Sequence, residues 1–516
     1  MAARAHAFAV LKRGYTHRVV AKSAFMLPDV AADVRRLDAA RAPDQPRHLG
    51  CYFIRRIPSA MKTPAPLLHF SFGLGLLALV ASPVGAAETT PAPTAAPAPA
   101  SRSAPAAALP KADANGNPLR QAPTGHVSNY DEAKVGTYTL PDPLVLQNGQ
   151  LVRDAGTWFK LRRPEIFKLY ETEIYGRVPK SAPKVTFKVV ETDPEAMDGT
   201  AVRKLIVARF GDSPGSPTVN LHLYLPAKAT GPVPVLLHLV FGTPAIAGKS
   251  DAVPTAPAPG VRPFPREAGP IAEILAHGYG YATFRYLEIQ PDNATTNQSG
   301  VEALACAPGQ TKPAADEWGT ISAWAWGTSR MLDYLATEPA VDATRVALVG
   351  HSRLGKTVLW AGACDPRFAL VFSSCAGEMG SALARRDYGE TVDDMAANFG
   401  YQFAGNFQKY AGHWNDMPVD AHMLIALNAP RPVFITGGTQ DQWADPRGEF
   451  LAEVAAGPVY RLLGQTDLGT SELPAVDTPV SAGRLGFHYH TGGHTITASD
   501  WKAFLDFADR QLHPQP

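Results

Sequence analysis

The sequence predicts an α/β fold in which helices cover both faces of a mostly parallel central sheet. Apolar runs typical of strands alternate along the chain with runs of helical periodicity, and this alternation is typical of parallel sheets. One apolar run, 345–349, leads directly into Gly350-His351-Ser352-Arg353-Leu354-Gly355. A strand that turns into a helix at a glycine-flanked serine is how the α/β-hydrolase fold exposes its nucleophile. The pattern therefore predicts an α/β-hydrolase fold with Ser352 as the candidate nucleophile.

The other elements follow in an order consistent with this fold. The predicted strands are an early antiparallel pair at 205–210 and 218–224, then 233–240, 281–286, 368–372, 432–436 and 487–489. The predicted helices are 316–336, 357–363, 447–456 and 498–512. Phe241-Gly242, directly after a strand, is a candidate source of oxyanion donors. In the serine motif, Leu354 stands where the usual G-x-S-x-G pattern has its second glycine, so spacing alone leaves the assignment open.

The charge balance and the number of cysteines exclude several classes of function. The 516 residues include 48 Lys and Arg and 47 Asp and Glu, so nothing indicates a nucleic acid as partner. The four cysteines are too few for a disulfide framework and show no zinc-ligand spacing. We expect neither a metal nor a cofactor, and we expect a monomer. Cys364 and Cys375 are candidates for a disulfide in an exported protein, and two buried thiols are the alternative.

The region before the catalytic domain carries the pattern of a secretory signal. Residues 61–87 begin with Met61-Lys62, continue with an apolar stretch at 67–80 and end in small residues, which is the order of a signal peptide. The apolar stretch is too short for a membrane-spanning helix. The sequence therefore predicts a secreted or periplasmic protein with no membrane attachment after cleavage. An N-terminal anchor is the alternative.

The segments on either side of this signal have separate interpretations. Residues 1–60 lack a sustained apolar period, and we expect translation to begin at Met61, so that 1–60 is a mis-assigned upstream segment. Any peptide from 1–60 in the unprocessed native protein would contradict this hypothesis. Residues 88–119 are rich in Pro and Ala and are predicted to be a linker. Residues 120–516 are then predicted to form the α/β-hydrolase catalytic domain.

A nucleophilic serine needs a base, and the base needs a third group to orient it. In the α/β-hydrolase fold these residues follow in the order Ser, acid, His. His494 follows the last predicted strand and is the candidate base. Asp441 is the first carboxylate after the preceding strand and is the first candidate for the acid. Two alternatives stay open: Glu378, and Asp445, which precedes a proline and also suits a helix cap.

Two cations flank the candidate nucleophile. Arg353 lies on the turn and Lys356 on the first turn of the following helix. Such a pair suggests a substrate with polar or anionic groups, and Arg353 can add charge-assisted donors to an oxyanion site. Solvent-facing cations on a helix are the alternative.

Four stretches taken together show a family resemblance. They are Gly350-His351-Ser352-Arg353-Leu354-Gly355-Lys356, Glu390 in Gly389-Glu390-Thr391, Asp441-Gln442-Trp443-Ala444-Asp445-Pro446, and His494. In this order they resemble the bacterial glucuronoyl esterases, carbohydrate esterase family 15. The resemblance extends from about residue 140 to the C-terminus, and the late-glycine turn with Arg and Lys is that family's variant of the motif.

The resemblance implies a role for each residue. Ser352 would be the nucleophile, His494 the base, and Arg353 an oxyanion donor. The residues that would hold the glucuronate sugar are Lys356, Glu390 and Trp443. The implied activity is that of a carboxylic ester hydrolase of the 4-O-methyl-glucuronoyl methylesterase type. Its substrate would be the ester between (4-O-methyl-)glucuronic acid of glucuronoxylan and a lignin alcohol.

The resemblance also bears on the acid. The family places it either after the strand that follows the nucleophile or after the later strand. Cys375 stands at the first place, which implies Asp441, although Glu378 is close enough in sequence to stay open. Other interpretations of the chain are an acetyl xylan or feruloyl esterase, a peptidase, and a carbohydrate-binding relic with an inactive triad.

Overall fold

The structure is a computed structural model that describes residues 110–244, 268–294, 299–307, 309–310 and 312–512. The predicted upstream segment 1–60 and signal peptide 61–87 lie outside these residues and stay predictions. The end of the predicted linker, 110–119, lies inside them and forms a turn closed by a bridge between Ala112 and Pro118. This turn lies within the segment that the sequence predicts to be a linker, and the boundary at residue 120 stays a prediction.

Among the residues that the structure describes, nine strands form a single sheet in the order β1-β2-β3-β5-β4-β6-β7-β8-β9. They are β1 (Val185–Glu195), β2 (Ala201–Phe210), β3 (Thr218–Pro226), β4 (Val233–Val240), β5 (Gly280–Arg285), β6 (Val341–His351), β7 (Phe368–Ser374), β8 (Val433–Gly438) and β9 (Leu485–His490). The pairs among β1, β2, β3 and β5 are antiparallel, and β5, β4, β6, β7, β8 and β9 run parallel. The predicted mostly parallel sheet with an early antiparallel pair is confirmed.

Helices lie between successive parallel strands, as the alternation predicts, and others precede β1 or follow β9. They are α1 (Ala155–Thr157), α2 (Arg163–Leu169), α3 (Ile271–Ala276), α4 (Gly300–Ala305), α5 (Thr320–Leu335), α6 (Arg353–Cys364), α7 (Val392–Phe399), α8 (Ala421–Ala426), α9 (Pro446–Leu462) and α10 (Ala498–Leu512). Short 3-10 and π turns join several of them, and a turn at Ala196–Gly199 joins β1 to β2. Within the described residues, no helix is long and apolar enough to cross a membrane.

Apolar side chains of the central strands pack against helices on both faces of the sheet. All of β4 is buried, with Val235 and Leu237 in one apolar cluster and Leu236 in the other. The first cluster includes Trp324 of α5, and the second includes Phe504 of α10. Successive residues of a strand point to opposite faces, so an unbroken apolar run requires cover on each side.

The sequence pattern did not predict β1. This strand pairs only with β2 at one edge of the sheet and is mostly exposed, with Lys188 and Glu191 among its residues. Its ladder is irregular between Val189 and Glu191. Charge and irregularity are typical of edge strands, and in β1 the apolar alternation is confined to 185–189.

The parallel strands bring their following loops to one edge of the sheet. β6 ends at His351, β7 at Ser374, β8 at Gly438 and β9 at His490. Side chains in the loops that follow these four ends can therefore form a single site.

Candidate active site

Ser352 lies on a strained turn between β6 and α6. Its backbone has φ 57° and ψ −130°, and its N–H donates to Ser374 O at 2.8 Å. Positive φ is uncommon for a residue with a side chain and persists where the surrounding structure enforces it. A Cβ on Gly350 would lie 2.3 Å from Leu354 O, so the turn requires glycine there. This is the nucleophile turn that the sequence predicts.

The late second glycine has a packing reason. Gly355 lies against β7, where a Cβ would come within 2.9 Å of both Ser373 Oγ and Ala376 Cβ. Leu354, at the position usually held by glycine, is fully buried in the core. The close approach of helix to strand therefore falls one residue later than in the usual motif.

The loops after β8 and β9 bring an imidazole and a carboxylate together. His494 Nδ1 lies 2.6 Å from Asp441 Oδ2, and the Asp441 side chain is 5% exposed while that of His494 is 43% exposed. Since a carboxylate accepts, Nδ1 carries the proton and Nε2 is left as the ring's basic nitrogen. The His494 ring also lies 4.5 Å from the His351 ring, centroid to centroid.

The other two candidate acids are placed differently. Asp445 caps α9 by accepting from Gly448 N at 3.0 Å, and it also accepts from Arg386 Nε at 2.8 Å. Glu378 is buried, and its Oε1 has no hydrogen-bond partner among the described residues. Burial raises the pKa of Glu378 well above its ordinary value. Of the three carboxylates, Asp441 is the one that hydrogen-bonds His494.

Arg353 is held at the site by a carboxylate that sequence reasoning missed. Asp292, after β5, forms an ion pair with the Arg353 guanidinium. The same carboxylate accepts from Tyr286 Oη at 2.7 Å, Tyr401 Oη at 2.8 Å and Gln402 Nε2 at 3.0 Å. An acidic residue in a loop after a parallel strand is a sequence signal that could have indicated Asp292. Its pairing with Arg353 could not be predicted, because the two residues are far apart in sequence.

Lys356 is buried and Glu390 is half-buried, and both line the cavity beside Ser352. Lys356 Nζ donates to Ala376 O at 2.6 Å, and burial lowers the pKa of Lys356. Burial raises the pKa of Glu390. The charge of Lys356 and a hydrogen bond from Trp443 lower this pKa but do not cancel the rise. The alternative of a solvent-facing cation therefore does not hold for Lys356.

Six of the predicted site residues line one cavity of about 170 Å³. From the candidate set it contains Ser352, Arg353, Lys356, Glu390, Trp443 and His494. Arg120 also lines it, with its guanidinium carbon 4.5 Å from the centre of a Trp443 ring. Arg120 precedes the region of resemblance and stands in no motif, so no sequence signal pointed to it. The lining includes neither Phe241 nor Gly242, and their oxyanion role stays a prediction.

Cys375 follows β7 and lies beside the imidazole and its carboxylate. Donor atoms of Cys375, Asp441 and His494 are all within 4.8 Å of one another, close enough for the three to hold a metal ion. Burial raises the pKa of the Cys375 thiol well above its ordinary value, which disfavours the thiolate that a metal needs. Cys364 and Cys375 are both thiols and not a disulfide, and of the two Cys375 is buried while Cys364 is half-buried.

A family model and a curated relative match this site and fold. The model, described as "Glucuronyl esterase, fungi", matches residues 309–464, a span that contains Ser352, Glu390 and Asp441. Carbohydrate esterase MZ0003, from an unknown prokaryotic organism, is 41% identical over 401 residues, which cover 74% of this chain and 92% of the relative.

A solved structure and a fungal relative agree with these matches. The glucuronoyl esterase from Solibacter usitatus has 42% identity and a TM-score of 0.68, and the match covers 74% of this chain and 100% of that one. The 4-O-methyl-glucuronoyl methylesterase 1 of Wolfiporia cocos is 27% identical over 337 residues, covering 64% of this chain and 73% of the relative. The α/β-hydrolase fold and the family resemblance are thus confirmed. The chain belongs to the glucuronoyl esterases of carbohydrate esterase family 15.

Proposed function

We propose that this enzyme hydrolyses the ester between (4-O-methyl-)glucuronic acid of glucuronoxylan and a lignin alcohol, through an acyl-enzyme on Ser352. One observation carries the proposal. Ser352 and an imidazole oriented by Asp441 line the same cavity as buried Lys356 and half-buried Glu390. The cavity thus joins groups for acyl transfer to groups that can hold a polar sugar.

The first half of the reaction forms the acyl-enzyme. His494 Nε2 takes the proton of Ser352 as Oγ attacks the ester carbonyl carbon. The carbonyl oxygen becomes an oxyanion in the tetrahedral intermediate. When the intermediate collapses, the C–O bond to the alcohol breaks and the imidazolium returns the proton to the leaving oxygen. The uronate is then esterified to Ser352 and the alcohol departs.

The second half regenerates the enzyme. His494 takes a proton from water, which attacks the acyl carbon, and the new tetrahedral intermediate expels Ser352 Oγ. The proton passes from the imidazolium to the serine, and the uronic acid is released. Asp441 keeps the imidazole in the Nδ1–H tautomer and stabilises the imidazolium in both halves.

Arg353 is placed to stabilise the oxyanion. Its guanidinium lines the cavity next to Ser352, and its ion pair with Asp292 limits the positions it can take. Preorganised donors stabilise a developing charge without rearranging during the reaction. Removing one such donor typically costs about 100- to 1,000-fold in kcat.

Lys356, Glu390 and Trp443 are proposed to hold the sugar. The substrate carboxyl is esterified and neutral, so these side chains would bind hydroxyl groups rather than a carboxylate. Lys356 supplies donors, Glu390 supplies acceptors, and Trp443 supplies an apolar face for a sugar ring. Because Arg120 lies against Trp443, it completes the rim of the same cavity.

The proposal includes where and how the enzyme works. The signal-peptide pattern at 61–87 supports a secreted or periplasmic enzyme. Export would bring it to substrates outside the cytoplasm, such as lignin–carbohydrate esters. We propose a monomer. We also propose that it acts without a metal or cofactor, because His494, Asp441 and Arg353 can supply the base, its orienting acid and an oxyanion donor.

A panel of esters tests the substrate assignment. The protein is assayed on benzyl glucuronate, methyl ferulate and acetylated xylan, and each rate is compared with that of the His494→Ala variant. The proposal expects the highest kcat/KM on benzyl glucuronate. A higher kcat/KM on the feruloyl or acetyl ester would contradict it and favour another carbohydrate esterase.

A further inference from the structure

A second histidine lies buried beneath the loop that carries His494. His490, the last residue of β9, is fully buried. Its Nδ1 lies 3.1 Å from the Asp500 carboxylate, and its Nε2 lies 3.2 Å from Gly493 O. Asp500 belongs to α10, and Gly493 directly precedes His494 in the chain. The ring therefore connects the closing helix to the loop of the candidate base.

Both groups that face the His490 ring are acceptors. A backbone carbonyl cannot donate, and Asp500 Oδ2 already accepts from Thr497 N at 2.7 Å and Thr497 Oγ1 at 2.8 Å. A neutral imidazole has one N–H and one lone pair, so it would point a lone pair at one of these oxygens. The imidazolium donates to both. Burial lowers the pKa of His490, but the hydrogen bond and charge of Asp500 outweigh it and leave this pKa raised.

The loop held by His490 also rests on the loop that carries Asp441. A Cβ on Gly438 would lie 2.6 Å from Gly493 O and 2.9 Å from His490 Nε2, so only glycine permits this approach. Gln440 N donates to Gly492 O at 2.7 Å. The position of Gly493 therefore affects both sides of the Asp441–His494 hydrogen bond.

We propose that His490 is a buried imidazolium, clamped by Asp500, which acts as a positioning residue for the loop that bears His494. This inference rests on the proposed function only in assigning His494 as the base. The titratable groups around the ring are Asp500 from α10, His488 from the same strand, Asp441 from the loop after β8, His351 from β6, and Asp477. The three carboxylates among them favour the cation.

A matched pair of variants tests the positioning role. His488 Nδ1 lies 2.7 Å from the same Asp500 carboxylate, whereas the imidazole nitrogen at Gly493 O belongs to His490. His490→Gln is expected to lower kcat on benzyl glucuronate by about 10- to 100-fold with little change in KM, since small misplacement of a catalytic group has effects of this size. His488→Gln is expected to keep a kcat near that of the wild type. Equal kcat values for the two variants would overturn the proposal.

The pH profile separates positioning by a cation from a purely structural role. Without the positive charge of His490, the His494 imidazolium is easier to form, so the acidic limb of kcat/KM is expected to move to higher pH in His490→Gln. An unmoved limb would overturn the charge assignment. His494→Ala is measured alongside, because its inactivity shows that the proposed base stands even if the His490 variant behaves like the wild type.

A spectroscopic measurement on the wild-type chain does not depend on any variant folding. Proteins labelled with 15N-histidine show by NMR whether a ring carries one or two N–H groups. At pH 8 exposed histidines are neutral, so a ring that keeps two N–H groups identifies a buried imidazolium. The proposal expects such a ring in the wild type and in His488→Gln. Its absence at pH 8 from either protein would overturn the proposal.

Discussion

The loop after β7 and the loop after β8 bring acidic side chains to the same edge of the sheet, but these carboxylates have different surroundings. After β8, Asp441 hydrogen-bonds His494 at 2.6 Å. After β7, Cys375 occupies the place next to the sheet, and Glu378 is buried with its Oε1 unpartnered among the described atoms. Position after a parallel strand thus brings a carboxylate to the site, and the contact it makes there determines its role.

The same difference appears in protonation. Burial raises the pKa of Glu378 well above its ordinary value and favours a neutral carboxyl group. A neutral carboxyl group cannot stabilise an imidazolium by charge. Glu378 would therefore be a poor orienting acid even if it reached His494.

The largest effect expected from this comparison is the loss of the Asp441 carboxylate. Asp441→Ala removes the group that fixes the tautomer of His494, and loss of a triad acid typically lowers kcat by about 10⁴-fold. The measurement is kcat on benzyl glucuronate at pH 7, with thermal unfolding to confirm that the variant is folded.

The loop after β7 can be tested as a source of a replacement acid. Since Cys375, Asp441 and His494 have donor atoms within 4.8 Å of one another, Cys375→Glu in the Asp441→Ala background is expected to recover part of the lost kcat. Cys375→Gln in the same background is the matched control, with the same length and no charge. Equal activity of the two double variants would show that this place cannot supply the acid.

Asp445 is expected to affect stability rather than catalysis. Its pair with Arg386 is buried, with the two side chains 3% and 4% exposed. Asp445→Ala leaves a buried guanidinium without this partner, and we expect the free energy of unfolding to fall by about 3 kcal/mol. Urea unfolding measures the loss, and kcat of the folded variant should stay near that of the wild type. A large fall in kcat without loss of stability would make Asp445 part of the reaction.

Glu449 of α9 supports the loop after β7, and its titration is expected to make the stability of the protein depend on pH. Its Oε1 accepts from Gly377 N at 2.9 Å and from Ser381 Oγ at 2.7 Å, and burial raises the pKa of Glu449 to about 8. The folded state thus keeps a proton that the unfolded state releases near pH 4.5. The stabilisation from this retained proton is fully present below about pH 4.5. It is lost as the pH rises through about 8, by up to about 1.4 kcal/mol per pH unit.

Glu449→Gln removes that titration while keeping the shape of the side chain. Urea unfolding of both proteins between pH 5 and 8 is expected to show a steeper loss of stability with rising pH in the wild type. Parallel curves for the two proteins would mean that Glu449 is ionised throughout this range.

The smallest effect is expected for Glu378→Gln. The replacement is an uncharged isostere of the protonated carboxyl group, so kcat on benzyl glucuronate should stay near the wild-type value. A fall in kcat comparable to that of Asp441→Ala would reverse the comparison and move the acid to the loop after β7.

The fold was predictable because its information is local. The run 233–240 matches β4, and 498–512 matches α10, since buried strands and amphipathic helices each leave a periodicity in the chain. Edge strand β1 was missed because its apolar alternation is short, covering only 185–189, and the residues after it are mostly polar and exposed.

The candidate site was predictable only in part, because several of its contacts join distant segments. The glycine-flanked serine and the loop after β9 indicated Ser352 and His494 directly. Asp292 and Arg120 were missed because each meets its partner, Arg353 or Trp443, across a long stretch of chain. The choice among three carboxylates likewise required the distance to His494, which no local pattern contains.

Hydrolysis of benzyl glucuronate by the wild-type protein and by Ser352→Ala, measured as release of benzyl alcohol, tests the acyl-enzyme mechanism most directly. We expect turnover by the wild type and none above background by the variant, with similar thermal unfolding of the two proteins. Near-wild-type hydrolysis by Ser352→Ala would contradict the acyl-enzyme mechanism, and no hydrolysis by either protein would contradict the glucuronoyl ester as substrate.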